Sequence, residues 1–216
     1  LGDVYKRQVR LYDGIKGWFR RINAYGEKRG ILVEHYIISS GLREIIEGTA
    51  IAKDFTHIYA SSFYYNEHGE PCWPAQVINY TNKTQFLFRI EKGILDINDN
   101  AVNDHFAEGE LRVPFRNIVY IGDSATDIPC MRLVNSLGGH SVGVYDLENT
   151  ASKDTVRRMI RDERIRYYVQ ADYTKGSEMD ILLHQIIDKT AAYEVLEEKH
   201  LRDRKEAIIQ HMEGQL

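Results

Sequence analysis

Asp123 and Asp127 stand four positions apart, just after an apolar run over residues 118–121 that Gly122 closes. The run has the character of a buried strand, and glycine lets the backbone turn sharply at its end. A carboxylate just beyond the carboxyl end of a strand lies in the crevice where open α/β sheets bind ligands. An acidic pair there suits a hard cation such as Mg²⁺, which takes oxygen ligands. The same residues also fit a plain acidic strand-to-helix turn with Asp127 as a helix cap. Two more places carry chemistry. Ser39, Ser40 and Gly41 follow the apolar pair Ile37 and Ile38 and lead into a helical pattern. A hydroxyl there, with the free N–H groups of a first helical turn, can bind a phosphate oxygen or simply cap the helix. Lys83 precedes the helical stretch 84–92, where a cation opposes the helix dipole. That choice hints at an anion to be held, although a surface lysine has the same sequence.

These residues need elements to hold them, and the patterns supply strands alternating with helices. Trp18, Ile22 and Tyr25 recur at helical spacing within 15–29, and Gly30 fits the stop. Strands are expected over 34–39, 57–65, 118–121, 141–145 and 166–170, with 75–79 as hairpin partner of 57–65 across a turn at 66–71. Helices are expected over 41–47, 84–92, 128–134 and 152–162, and from residue 177 onward. Residues 94–116 read as a long polar loop with one turn of helix. The alternation implies an α/β fold, a doubly wound and mostly parallel sheet with a β-hairpin insertion.

The 216 residues suffice for one domain, and 43% hydrophobic against 28% charged residues is ordinary for a globular chain. A net charge of −4 offers no general attraction to nucleic acid or anionic lipid, so neither is expected as a partner. Two cysteines give no disulfide framework, which fits a reducing cytoplasm. No run is long and apolar enough to cross a bilayer. Residues 1–8 lack an initiator Met and resemble a non-native terminus, 9–190 form the expected core domain, and 191–216 read as a charged helical tail.

Gly122 to Asp127 resembles the fourth motif of the haloacid-dehalogenase-like superfamily, mostly Mg²⁺-dependent phosphohydrolases. Residues 37–42 resemble the second motif in its phosphoserine-phosphatase-like form, with Ser39 at the motif position. Lys83 matches the third, a lysine at a helix start, and Ala171, Asp172 and Tyr173 before the last helix also fit. The resemblance runs from about 31 to 187. It implies a small phosphomonoester as substrate, held by Ser39, Ser40, Gly41 and Lys83. It also implies Mg²⁺ at Asp123 and Asp127, with Lys83 and Asp127 serving catalysis.

The first motif, which in the family supplies the nucleophilic aspartate that becomes phosphorylated, has no counterpart at the expected place. Asp13 follows no apolar strand and lies too close to Ser39 to leave room for a cap. The chain is therefore expected to be a fragment without the first strand, the nucleophile and most of the cap. In the family that strand lies between the strands ending at Ser39 and at Ile121, so these should face a gap or collapse together. A non-catalytic domain keeping a phosphate and Mg²⁺ pocket is the rival reading. A serine esterase built on Gly122, Asp123 and Ser124 is a distant third, because the spacing from Asp180 to His184 is one residue too long. Asp96, Asn98 and Asn100 mimic a Ca²⁺ loop but lack its glycine and bidentate glutamate.

Overall fold

Helix α1 (Ile15–Lys28) buries Trp18, Phe19, Ile22 and Gly26 along one face, as the spacing predicts. The computed structural model describes residues 9–213, so the expectation for 1–8 lies outside the described residues. Strand β1 (Tyr36–Leu42) pairs in parallel with β2 (His57–Tyr65), whose far half pairs antiparallel with β3 (Pro71–Gln76). Helices α2 (Arg43–Glu47) and α3 (Thr84–Lys92) belong to this half. In the other half, β5 (His140–Tyr145) lies between β4 (Val119–Gly122) and β6 (Tyr167–Gln170), all parallel. Helices α4 (Ile128–Ser136), α5 (Thr150–Arg161) and α6 (Glu178–Glu213) complete it.

The α/β class holds, and the strands form two three-stranded sheets, β1-β2-β3 and β4-β5-β6. Between β1 and β4 lies a cavity of about 970 Å³, lined by Ile37, Ile38 and Ser39 on one side and Val119, Tyr120 and Ile121 on the other. Truncating a large buried side chain leaves only about 150 Å³. Of the two outcomes expected for these strands, the structure has the gap.

Three core clusters surround it. Trp18, Phe19 and Ile22 of α1 pack with Val142 and Val144 of β5 and with Met179, Leu183 and Ile187 of α6. Tyr120 of β4 packs with Met131 and Val134 of α4 and Val156 of α5. Tyr59, Ile78, Phe86 and Ile90 form the third. Helix α3 joins the last two, because Leu87 faces the second cluster while Phe86 and Ile90 face the third.

Three local expectations are corrected. The helix expected from Gly41 begins only at Arg43, because β1 continues to Leu42. Its register slips between Ser39 and Leu42, where Ser61 Oγ donates to the Ser40 carbonyl and the Gly41 amide donates to Ser39 Oγ. The hairpin partner is Pro71–Gln76 instead of 75–79, and as an edge strand it tolerates Pro71 and Pro74. Residues 94–116 contain three 3-10 turns, at Asn100–Asn103, Glu108–Glu110 and Phe115–Asn117. The Arg89 guanidinium donates to the carbonyls of Ile94, Asp96, Ile97 and Asp99, and Lys92 to those of Val102 and Asp104. The tail expected to be helical from Ala191 is helical, as the uninterrupted continuation of the 36-residue helix α6.

Candidate active site

Lys83 and Asp127 are 44 residues apart in sequence, yet Lys83 Nζ donates to Asp127 Oδ1 at 2.7 Å. Their side chains are only 6% and 9% exposed, which makes this a buried ion pair. Lys83 sits immediately before α3 and Asp127 immediately before α4, so two helix starts converge beyond the end of β4. Gly122 permits this closeness: a Cβ there would lie 2.8 Å from Asp127 Cβ and Cγ.

Asp127 is fully engaged. Tyr120 Oη donates to the same Oδ1 at 2.9 Å, and Ser124 Oγ donates to Oδ2 at 3.0 Å. A carboxylate holding three donors in the interior anchors Lys83. Burial and the neighbouring Asp127 charge raise the Tyr120 phenol far above its ordinary range, so it remains a neutral donor. Burial likewise pushes the Cys130 thiol up to about 11.

Asp123 is different. It is exposed and makes no hydrogen bond or ion pair among the described residues. Tyr173, pushed up to about 12 chiefly by burial, also feels Tyr12 and Asp123. Tyr12 is raised by burial and then by Asp146 and Asp123. Two phenols thus flank this carboxylate. Tyr12 is brought there because the Tyr173 amide donates to the Asp13 carbonyl and Gly14, at φ +78°, lies flat against Tyr173 and Thr174.

Ser39, Lys83, Asp123 and Asp127 all line the cavity between β1 and β4. Ser39 Oγ accepts from the Gly41 amide, so its hydroxyl proton is free for an oxyanion while the Gly41 N–H is committed. Ser40 is exposed beside it. Helix α2, which follows, has only five residues. Together these groups present a hydroxyl, an ammonium and an unpaired carboxylate, the set that binds a phosphoryl group beside a cation. Among the described residues no cluster of three His, Cys, Asp or Glu side chains could hold a metal.

A family model described as haloacid dehalogenase-like hydrolase matches residues 2–132. The chain belongs to the haloacid dehalogenase-like hydrolases. An uncharacterized protein of Borreliella burgdorferi is 24% identical over 189 residues, which cover 80% of this chain and 65% of that protein. The chain thus spans about two-thirds of the length of the curated relative it matches.

Within this haloacid dehalogenase-like hydrolase, other candidates fall away. Ser124 has no histidine partner: His184 stacks on Tyr25 with ring centroids 3.9 Å apart, and Asp180 binds the Gly176 amide and Arg21. The acidic loop near Asp96 is already occupied by a cation, the Arg89 guanidinium on its carbonyls. Tyr120, Tyr12 and Tyr173 escape sequence reasoning. Tyr120 reads as one more member of an apolar strand, and only the i, i+7 relation to Asp127 could have suggested a contact. No helix among the described residues is long and apolar enough to cross a membrane.

Proposed function

We propose that the protein is a Mg²⁺-dependent phosphohydrolase acting on a small phosphomonoester in a reducing compartment, through an aspartyl-phosphate. The aspartate that forms it would come from a segment outside the described residues. The observation that carries this reading is the buried Lys83–Asp127 pair lining the same cavity as Ser39 and Asp123. Ser39 Oγ would donate to one phosphoryl oxygen. Lys83 would offset the charge on a second, held on target by Asp127 while Tyr120 and Ser124 share that carboxylate's load. Asp123 would hold Mg²⁺, which when bound neutralises phosphoryl charge. Burial of Lys83 and Asp127 keeps water from screening them.

In the full-length protein, Asp123→Asn should weaken Mg²⁺ binding, followed by isothermal calorimetry, and phosphatase turnover together. Unchanged Mg²⁺ dependence in that variant refutes the metal assignment. The 216-residue chain alone should not turn over p-nitrophenyl phosphate with Mg²⁺ in excess. Turnover that disappears in Asp13→Asn would place the nucleophile within this chain. A full-length protein that binds phosphate through Ser39 and Lys83 but never turns over would instead be a binding domain.

A further inference from the structure

Helix α6 extends past the body it packs on. Its first turns bury Met179, Leu183 and Ile187 among residues of α1 and β5. Beyond Glu197 that support ends, and every residue from Glu198 to His211 is exposed. The overhang runs for about four turns. A helix of that length is marginal in water on its own, although Lys199 and Asp203 brace this one with an i,i+4 ion pair.

The overhang carries a pattern. Steps of four and three residues alternate from Leu183 to Ile208, which keeps the series on one stripe of the helix. The first members of the series lie in the core. Its later members, Glu194, Glu197, Leu201, Arg204 and Ile208, carry the stripe off the body, with Glu198 and Lys205 along its flank. Arg116 and Asn117 hold Glu194 at the point of departure. From there to Leu201 the stripe borders the outer end of the cavity. Leu201 and Ile208 are each 51% exposed. Glu197, Glu198, Arg204 and Lys205 make no ion pair among the described residues.

Charge lies along the stripe in two blocks. Acid comes first, at Glu197 and Glu198, and base second, at Arg204 and Lys205, with Leu201 between them. Such an order is complementary to its own reverse. Two copies laid antiparallel about Leu201 set the acidic block of each against the basic block of the other and bring the two leucines together. A parallel pair would set like charge against like, which is disfavoured.

We propose that the free stripe of α6 is a self-association surface, on which a second copy of this chain docks its own α6 antiparallel about a two-fold axis near Leu201. The overlap from Glu194 to Ile208 is about 22 Å long. That is too short to bury the about 1,200 Å² of a stable interface, so the dimer is weak and exchanges with monomer. None of these residues belongs to the Ser39, Lys83 and Asp123 set, so this proposal and the phosphohydrolase reading stand or fall separately.

Sedimentation equilibrium of the 216-residue chain from about 10 to 300 μM tests it. The unaltered chain should pass from monomer towards dimer across that range. Raising NaCl from about 0.05 to 0.5 M should weaken the association several-fold, because exposed pairs are screened. Glu198→Lys and Lys205→Glu should each weaken it at least about tenfold, since the two-fold repeats every repulsive contact. Mixed in equal amounts, the two variants should associate with each other, and the Glu198→Lys/Lys205→Glu double variant should recover the original behaviour. Positions 198 and 205 lie about 10 Å apart along one helix, so recovery reports contact between copies. A monomer at every concentration overturns the proposal. So does a dimer that survives Leu201→Asp, because another surface, such as the exposed Tyr64 and Trp73 pair on the β2–β3 hairpin, would then hold it. A mixture of the two charge variants that stays monomeric also overturns it.

Discussion

Replacing either member of the Lys83–Asp127 pair should destabilise the protein, and replacing both should cost no more than the worse single change. Asp127→Ala leaves a buried ammonium and the Tyr120 hydroxyl without their acceptor, since both donate to Oδ1. Stranding one partner of a buried ion pair costs about 3–5 kcal/mol. Lys83→Met is milder, about 1.5–3 kcal/mol, because Tyr120 and Ser124 still donate to the carboxylate. In the double variant the unpaired charge is gone and only the orphaned phenol and a small void remain. The coupling energy of the cycle should therefore be roughly 3 kcal/mol. Urea unfolding at neutral pH, followed by circular dichroism, measures all four corners. At about 2–4 °C per kcal/mol for a chain of this size, Asp127→Ala should also lower the melting temperature by roughly 6–20 °C. Additive losses, with the double variant falling to the sum of the singles, would refute the claim that the two charges hold each other in the interior.

His35 should make stability depend on pH. Burial depresses its pKa from 6.5 to about 4, with the ring against Phe19 and Nε2 2.7 Å from Asn23 Oδ1. Between those values the unfolded chain binds more protons, so stability should fall as pH drops from 7.5 to 5, by about 2 kcal/mol from this residue. His35→Phe should flatten that slope in urea titrations at the two pH values. Arg89→Met removes the donor that four loop carbonyls share, so amide exchange within 94–103 should accelerate at least about tenfold while the β5 amides stay protected. Gly14→Ala would drive a Cβ into the Tyr173 carbonyl at positive φ, so urea unfolding should show a loss of at least about 1 kcal/mol. With β1 and β4 unpaired across the gap, a cooperative melt well above about 60 °C is not expected, and calorimetry would expose one.

The site was legible where short motifs coincide with element ends. Gly122 and Asp123 close an apolar strand, and Lys83 opens a patterned helix, so both could be placed from sequence. The Ser39–Gly41 turn was not, because Ser61, a residue 21–22 positions away, decides that the segment stays extended. The role of Asp127 was half legible: its position was clear, but the number of donors on it depends on Tyr120 and Ser124 turning inward. Composition and periodicity say nothing about β1 and β4 standing apart, since each strand has the pattern it would have in a continuous sheet. That expectation came from the family resemblance alone.

The separation of the sheets has a consequence for how the molecule breathes. No strand ladder among the described residues crosses from β1-β2-β3 to β4-β5-β6. What crosses is side-chain packing: α3, through Leu87 in one cluster, Phe86 and Ile90 in another, and Lys83 on Asp127, together with Ile38 of β1 against the second cluster and the Glu34–Arg112 pair. Native-state exchange should accordingly resolve two foldons, each opening with its own free energy and its own denaturant slope. A denaturant that frees the β2 amides would leave those of β5 closed. Anything that bonds to β1 and β4 at once would merge the two opening events into one, and the appearance of a single exchange isotherm would report that merger directly.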